Sequence, residues 1–184
     1  MPRALVLLAT GVEELEAIAP IDLLRRAGVH VVTASVGARN PIVGRNRIRL
    51  MADLDLAEAL VEWGDDWDLV VVPGGAAGVE ALMADERVLD LLRGRLTAGR
   101  LTAAICAGPK VLARAGLAAG TAITSHPGVQ GDLAAYDYRT DAVVSTGAVI
   151  TSRGPGTAVA FGLALVEALC GVEAASSLRT ALVA

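Results

Sequence analysis

Near-continuous apolar runs alternate with helix-period segments along this chain, and that alternation excludes most folds. Strand-like runs fall at Ala4–Ala9, Val29–Ser35, Leu69–Pro73, Leu101–Ile105, Ala122–Ser125, Val143–Ser145 and Ala148–Ser152. Helical patterns fall at Glu13–Ala27, Leu54–Glu62, Gly78–Met83, Glu86–Ala98, Ala107–Ala115 and Thr157–Cys170. A strand wetted on one face alternates polar and apolar residues, whereas an unbroken Val/Leu/Ala run needs cover on both faces. The pattern therefore specifies an α/β fold, a mostly parallel sheet with helices on both faces. Asp85 suits an N-cap for the helix beginning at Glu86, and Gly28, Gly99, Gly116 and Gly171 suit helix ends. Arg39–Met51 breaks the alternation and reads as a small edge hairpin. With 184 residues and no linker, repeat or low-complexity stretch, a single domain spanning 1–184 is expected.

Composition narrows the function classes. The chain is 54% hydrophobic but only 3% aromatic, so Ala, Val, Leu and Ile must build the core. A net charge of −4 argues against non-specific nucleic-acid binding. Arg39, Arg45, Arg47 and Arg49 cluster, but Ile48 and Leu50 alternate with them at strand period, which reads as an exposed face. Two cysteines, Cys106 and Cys170, are too few for a disulfide framework. The apolar run Ala4–Ala9 is short and soon followed by Glu13, Glu14 and Glu16, unlike a signal peptide. The apolar helix Ala158–Cys170 is too short to span a bilayer. A cytoplasmic location and no membrane partner are the expectations. The glycine-rich segments match neither a P-loop nor a dinucleotide fingerprint, and two histidines give no metal-ligand spacing, so neither a cofactor nor a metal is expected.

In open α/β sheets, sites form at the carboxyl ends of strands. Five loops meet that description: Gly11–Glu16, Pro73–Ala76, Cys106-Ala107, His126-Pro127 and Arg153–Gly156. Cys106 stands between an apolar strand and a helix, flanked by Ala104, Ala107 and Gly108. It is either a buried structural cysteine or a nucleophile on a sharp turn, with its thiolate favoured by a helix N-terminus. Glu16 has apolar neighbours at i+3, i+4, i+7 and i+8: Ala19, Pro20, Leu23 and Leu24. A carboxyl on that stripe is expected to be buried, raised in pKa and able to donate a proton near neutrality. Glu13 and Glu14 are expected to face the rim or solvent. The N–H groups of Gly75 and Ala107 form a possible oxyanion hole. His126 can orient a substrate or transfer protons. Arg153 either binds an anion at the start of the last long helix or only begins that helix. Cys170 reads as inert.

The motifs Gly11-Val12-Glu13-Glu14-Leu15-Glu16, Val72-Pro73-Gly74-Gly75, Ala103–Pro109, Thr124-Ser125-His126-Pro127 and Thr151–Thr157 together closely resemble the ThiJ/PfpI superfamily, in the branch of the parkinsonism-linked DJ-one. The resemblance covers essentially the whole chain, with the motifs in the family's order. It implies a flavodoxin-like sheet of the class I glutamine-amidotransferase type and a homodimer. It also implies a reactive cysteine at Cys106, a protonated glutamate at Glu16, an oxyanion site at Gly75 and Ala107, and a nearby histidine at His126. Members of the branch are described as cofactor-free glyoxalases, as deglycases of methylglyoxal adducts, and as oxidative-stress sensors or chaperones. Implied partners are therefore a small 2-oxoaldehyde or its glycated adducts, with nucleic acid entering only as a glycated substrate. Ala107 stands where the protease-like branch carries a histidine, which argues against a peptidase. Gly44 and Met51 replace cysteines of some relatives. For the family's cross-dimer arginine, Arg45, Arg47 and Arg49 are all candidates.

Overall fold

The computed structural model describes residues 1–37 and 40–184, so Arg39 of the basic cluster lies outside the described residues. In chain order the elements are β1 (Arg3–Ala9), α1 (Glu14–Arg26), β2 (His30–Val36), β3 (Ile42–Val43), β4 (Arg49–Leu50), β5 (Leu54–Asp55), α2 (Leu56–Trp63), β6 (Leu69–Val72), α3 (Ala76–Ala84), α4 (Glu86–Thr97), β7 (Thr102–Ile105), α5 (Pro109–Arg114), β8 (Ala122–Ile123), β9 (Asp137–Tyr138), β10 (Val143–Thr146), β11 (Val149–Ser152), α6 (Ala158–Cys170) and α7 (Val172–Ala181). Seven strands form the main sheet in the order β10-β11-β7-β6-β1-β2-β5. Every pairing in it is parallel except β10 with β11. This is the doubly wound, flavodoxin-like arrangement expected.

The central strands are apolar because both faces are covered. Leu5, Leu7, Val70, Val72, Ala103 and Ile105 are all fully buried. Arg95 of α4 is fully buried too. Its guanidinium donates to Asp65 at 2.9 Å and to the carbonyls of Trp67 and Leu101. Asp85 caps α4 through a bond from the Arg87 N–H at 3.0 Å.

Three expectations need correction. The hairpin read in Arg39–Met51 is, among the described residues, no edge of the main sheet: β3 and β4 pair there only with each other. The arginines Arg45, Arg47 and Arg49 are exposed, as expected, and Leu50 packs half-buried against the core; Ile48 is exposed with them, and Arg47 takes a positive φ of 67° in the turn. The Ala122–Ser125 run is also outside the main sheet, because β8 pairs with β9 alone. Helix α7 was not expected, since it buries little beyond Ala175 and shows only a faint apolar stripe.

The topology positions the site. The chain moves from β1 outward to β2, then returns to β6 on the other side of β1. Strand order reverses there, and the loops after β1 and β6 flank the resulting crevice. β7 and β11 run parallel to β6, so Cys106 and Arg153 emerge at the same rim.

Candidate active site

Cys106 follows β7 with φ +64°, a left-handed conformation that is uncommon for a side chain and costs about 1–3 kcal/mol. The surroundings hold it there. Its N–H donates to the Ser152 carbonyl at 2.9 Å, and its own carbonyl accepts from the His126 N–H at 2.9 Å. The turn is therefore a strained strand-to-helix elbow. The thiol is almost fully buried, and the backbone N–H groups of Gly75 and Ala107 are directed at it.

The glycines are required by space. A Cβ on Gly74 would lie 2.4 Å from Glu16 Oε2 and 2.6 Å from the Cys106 Cβ. Gly75 has φ +94°, and a Cβ there would lie 2.2 Å from the Gly11 carbonyl oxygen. Only bare backbone lets the loop after β6 touch both the start of α1 and Cys106.

Glu16 is fully buried. Its Oε2 accepts from the Gly74 N–H at 2.9 Å, while Oε1 is buried without a partner. The carboxyl and the Cys106 thiol are close enough that each shifts the titration of the other. Burial, opposed by the thiol and reinforced by the charge of Glu13, raises the carboxyl to about 7. Burial, then the charge of Glu16, push the thiol up to about 12 against the pull of the two N–H groups. A helix N-terminus alone does not lower this thiol, as the sequence led one to expect, because burial outweighs it and α5 begins only at Pro109. Groups coupled this tightly titrate as a unit. The pair releases one proton near 7 and the second only near 12, and in between it carries one proton and one negative charge.

Glu13 and Glu14 are buried, not solvent-facing. Glu13 caps α1 by accepting from the Glu16 N–H at 2.9 Å, and its own N–H donates to the Gly74 carbonyl at 3.1 Å. Glu14 turns toward the β3–β4 hairpin. Helical spacing did not reveal either role, because the groups that bury these two carboxyls come from distant segments. Of the three candidate arginines, Arg45 is the one whose charge acts on Glu16 within the same protomer.

His126 is exposed at the rim. Its Nδ1 accepts from the Gly128 N–H at 3.0 Å, so the neutral ring carries its proton on Nε2 and presents a donor. A Cβ on Gly154 would lie 3.5 Å from the His126 ring and 3.9 Å from Glu16 Oε1, so that glycine lies between them. Arg153 does not join the group. Its guanidinium donates to the Thr140 carbonyl at 2.9 Å, and Gly154 is the part of the turn that reaches the site. Cys170 lies far along α6, near the Ala27 carbonyl. Among the described residues no group of three or more His, Cys, Asp or Glu is placed to hold a metal ion, and no helix is long and apolar enough to cross a membrane.

Comparison with known proteins agrees with this fold. The DJ-1/PfpI family profile matches residues 2–168. The chain is 43% identical over 172 residues to Protein dj-1beta of Drosophila melanogaster, covering 92% of this chain and 90% of the relative. It is 36% identical over 178 residues to the glutathione-independent glyoxalase DJR-1.2 of Caenorhabditis elegans, covering 95% and 92%. The crystal structure of Drosophila melanogaster DJ-1beta superposes with a TM-score of 0.93 at 41% identity, covering 99% of this chain and 97% of that one.

Proposed function

The chain belongs to the DJ-1/PfpI family, and from that premise we propose that it is a cysteine-dependent, cofactor-free glyoxalase. Its substrates are methylglyoxal-type 2-oxoaldehydes, or their adducts in a deglycase reaction. The observation that carries this reading is the buried Cys106–Glu16 pair beneath the N–H groups of Gly75 and Ala107. The sulfur faces two donors, Gly75 and Ala107. The carboxyl receives one, from Gly74, and its Oε1 has none. Negative charge is better solvated on the sulfur, and the carboxyl beside it keeps the proton.

The thiolate attacks the aldehyde carbon. A carbon–sulfur bond forms, and the carbonyl electron pair moves onto oxygen, where the Gly75 and Ala107 N–H groups can follow the charge. Glu16 protonates that oxygen. As a carboxylate it then removes the hydrogen from the former aldehyde carbon, and the electrons pass to the ketone carbon and its oxygen, to which His126 Nε2–H donates. Glu16 returns the proton to the second carbon while the proton on the first oxygen passes to the second, restoring a carbonyl at the first carbon and leaving a 2-hydroxy thioester. Water cleaves the thioester, releasing a 2-hydroxy acid and the thiolate. One carbon is oxidised and its neighbour reduced by the same electron pair, so no external oxidant is needed. Cys106 supplies the thiol that glutathione supplies in other routes.

The partner we propose is a second copy of the chain. Leu15 and Ile18 on α1 and Val159 on α6 are exposed side by side with Leu182, an apolar face suited to another apolar face.

A second reading shares the same geometry. The two N–H groups converge on the sulfur itself, which also suits a sulfinate formed from the thiolate by peroxide. Turnover separates the two. Purified protein should consume methylglyoxal without added thiol, through many cycles per site, and Cys106→Ser should fall to background with its fold intact. Undiminished consumption by Cys106→Ser would overturn the thiolate mechanism. Consumption that stops after one equivalent would favour the sensor.

A further inference from the structure

We propose that Glu14 is a positioning residue: by gripping the turn of the β3–β4 hairpin it holds the Gly11–Glu13 segment in the shape that seals Glu16 beside Cys106. The inference rests on the Cys106–Glu16 pair being the reactive centre. Glu14 touches no reacting atom in the scheme above. Its carboxylate is buried, with exposure of only 4%, yet it is fully engaged. Oε1 accepts from the Asn46 N–H at 2.7 Å and the Ile48 N–H at 3.4 Å, and Oε2 accepts from Asn46 Nδ2 at 2.8 Å. The hairpin is shaped around it. A Cβ on Gly44 would lie 2.3 Å from Glu14 Oε1, so Gly44 leaves room for the carboxylate and nothing more.

From the hairpin the contacts run to the pair without a gap. The Val43 carbonyl accepts from the Gly11 N–H, and the Arg45 N–H donates to the Val12 carbonyl, both at 2.8 Å. The segment so held is packed on Gly75, where a Cβ would lie 2.6 Å from the Glu13 nitrogen. Glu13 bonds the Gly74 carbonyl, and the Gly74 N–H bonds Glu16. The charged and titratable groups that act on Glu16 are Cys106 from the end of β7, Glu13 from the start of α1 and Arg45 from the hairpin. The hairpin carries Arg45 and bonds the segment that carries Glu13. If Glu14 lets go, water gains a path to Glu16, and the carboxyl ionises before the thiol does.

The test uses the whole protein and needs no turnover, so it stands even if the glyoxalase reading fails. The probe is the rate of Cys106 alkylation by iodoacetamide against pH, with methylglyoxal kinetics alongside. Glu14→Ala should move the alkylation midpoint up by more than one pH unit. Where turnover is measurable, kcat should fall about tenfold or more with KM little changed, since small misplacements weaken oriented chemistry. Glu14→Gln should restore both, because its carbonyl accepts from the Asn46 N–H while a turned Asn46 amide accepts from its NH₂. Asn46→Ala, which leaves Glu14 in place, should shift the midpoint in the same direction by less, and it carries the test if Glu14→Ala does not fold. A purely structural role predicts lower melting temperatures with an unchanged midpoint and kcat in the folded variants, and that result would overturn the proposal.

Discussion

Replacing Glu16 with Gln should stabilise the protein at pH 8 while removing its chemistry. A free glutamate loses its proton near 4.5, but burial of the carboxyl keeps the folded Cys106–Glu16 pair from giving up its first proton until about 7. Between those values the unfolded chain releases the proton and the folded one keeps it, so the native state loses stability as pH rises. Below 4.5 both states keep the proton and nothing is lost; above 7 the loss is complete. At about 1.4 kcal/mol per pH unit, the gap amounts to about 3 kcal/mol. Gln occupies nearly the same space, can still accept from the Gly74 N–H and can donate to the sulfur, but it has no proton to lose. Glu16→Gln should therefore melt roughly 6–12 °C higher than wild type at pH 8, with the gap closing near pH 4. Methylglyoxal turnover should meanwhile drop by about a hundredfold or more, the scale of general acid–base catalysis. Thermal unfolding at both pH values, paired with turnover, checks the two halves together. A melting difference that does not change with pH would refute the raised carboxyl, and full turnover by Glu16→Gln would remove Glu16 as the proton carrier.

Gly74→Ala places a methyl within 2.6 Å of both Glu16 Oε2 and the Cys106 Cβ. It should cost about 1–3 kcal/mol of stability and slow Cys106 alkylation at neutral pH, both measured on the folded variant. The protein should sediment as a homodimer at micromolar concentration. Leu15→Arg, on an exposed site of the apolar α1–α6 face, should yield a monomer without unfolding it; an 18.7 kDa species already present in wild type would count against the dimer.

The fold was largely legible because the core speaks through unbroken apolar strands. β1, β2, β6, β7 and β11 all fall within or beside the runs read as strands, and Asp85 caps α4 as expected. Partner choice was less legible. Nothing in Ala122–Ile123 says that it pairs with Asp137–Tyr138 and not with the main sheet, because a two-residue strand carries no periodicity. Within the site, Cys106 and Glu16 were visible from their position and apolar neighbours. Glu14 was not, because helical spacing reports on neighbours within α1, whereas its burial comes from Asn46 and Ile48, more than thirty residues on. Arg153 shows the opposite failure. Its position at a helix start suggested an anion site, but the Thr140 carbonyl, thirteen residues earlier and outside any helical spacing, occupies its guanidinium.

In the mechanism above, the first proton lost by the Cys106–Glu16 pair leaves the sulfur. The rate of Cys106 alkylation by iodoacetamide, followed by mass spectrometry from pH 5 to 11 on the wild-type protein, reads this directly. The rate should trace a sigmoid with its midpoint near 7, while Cys170 stays unmodified until unfolding. A midpoint above 10 would place the first lost proton on the carboxyl instead, leaving a neutral thiol at physiological pH and contradicting the mechanism.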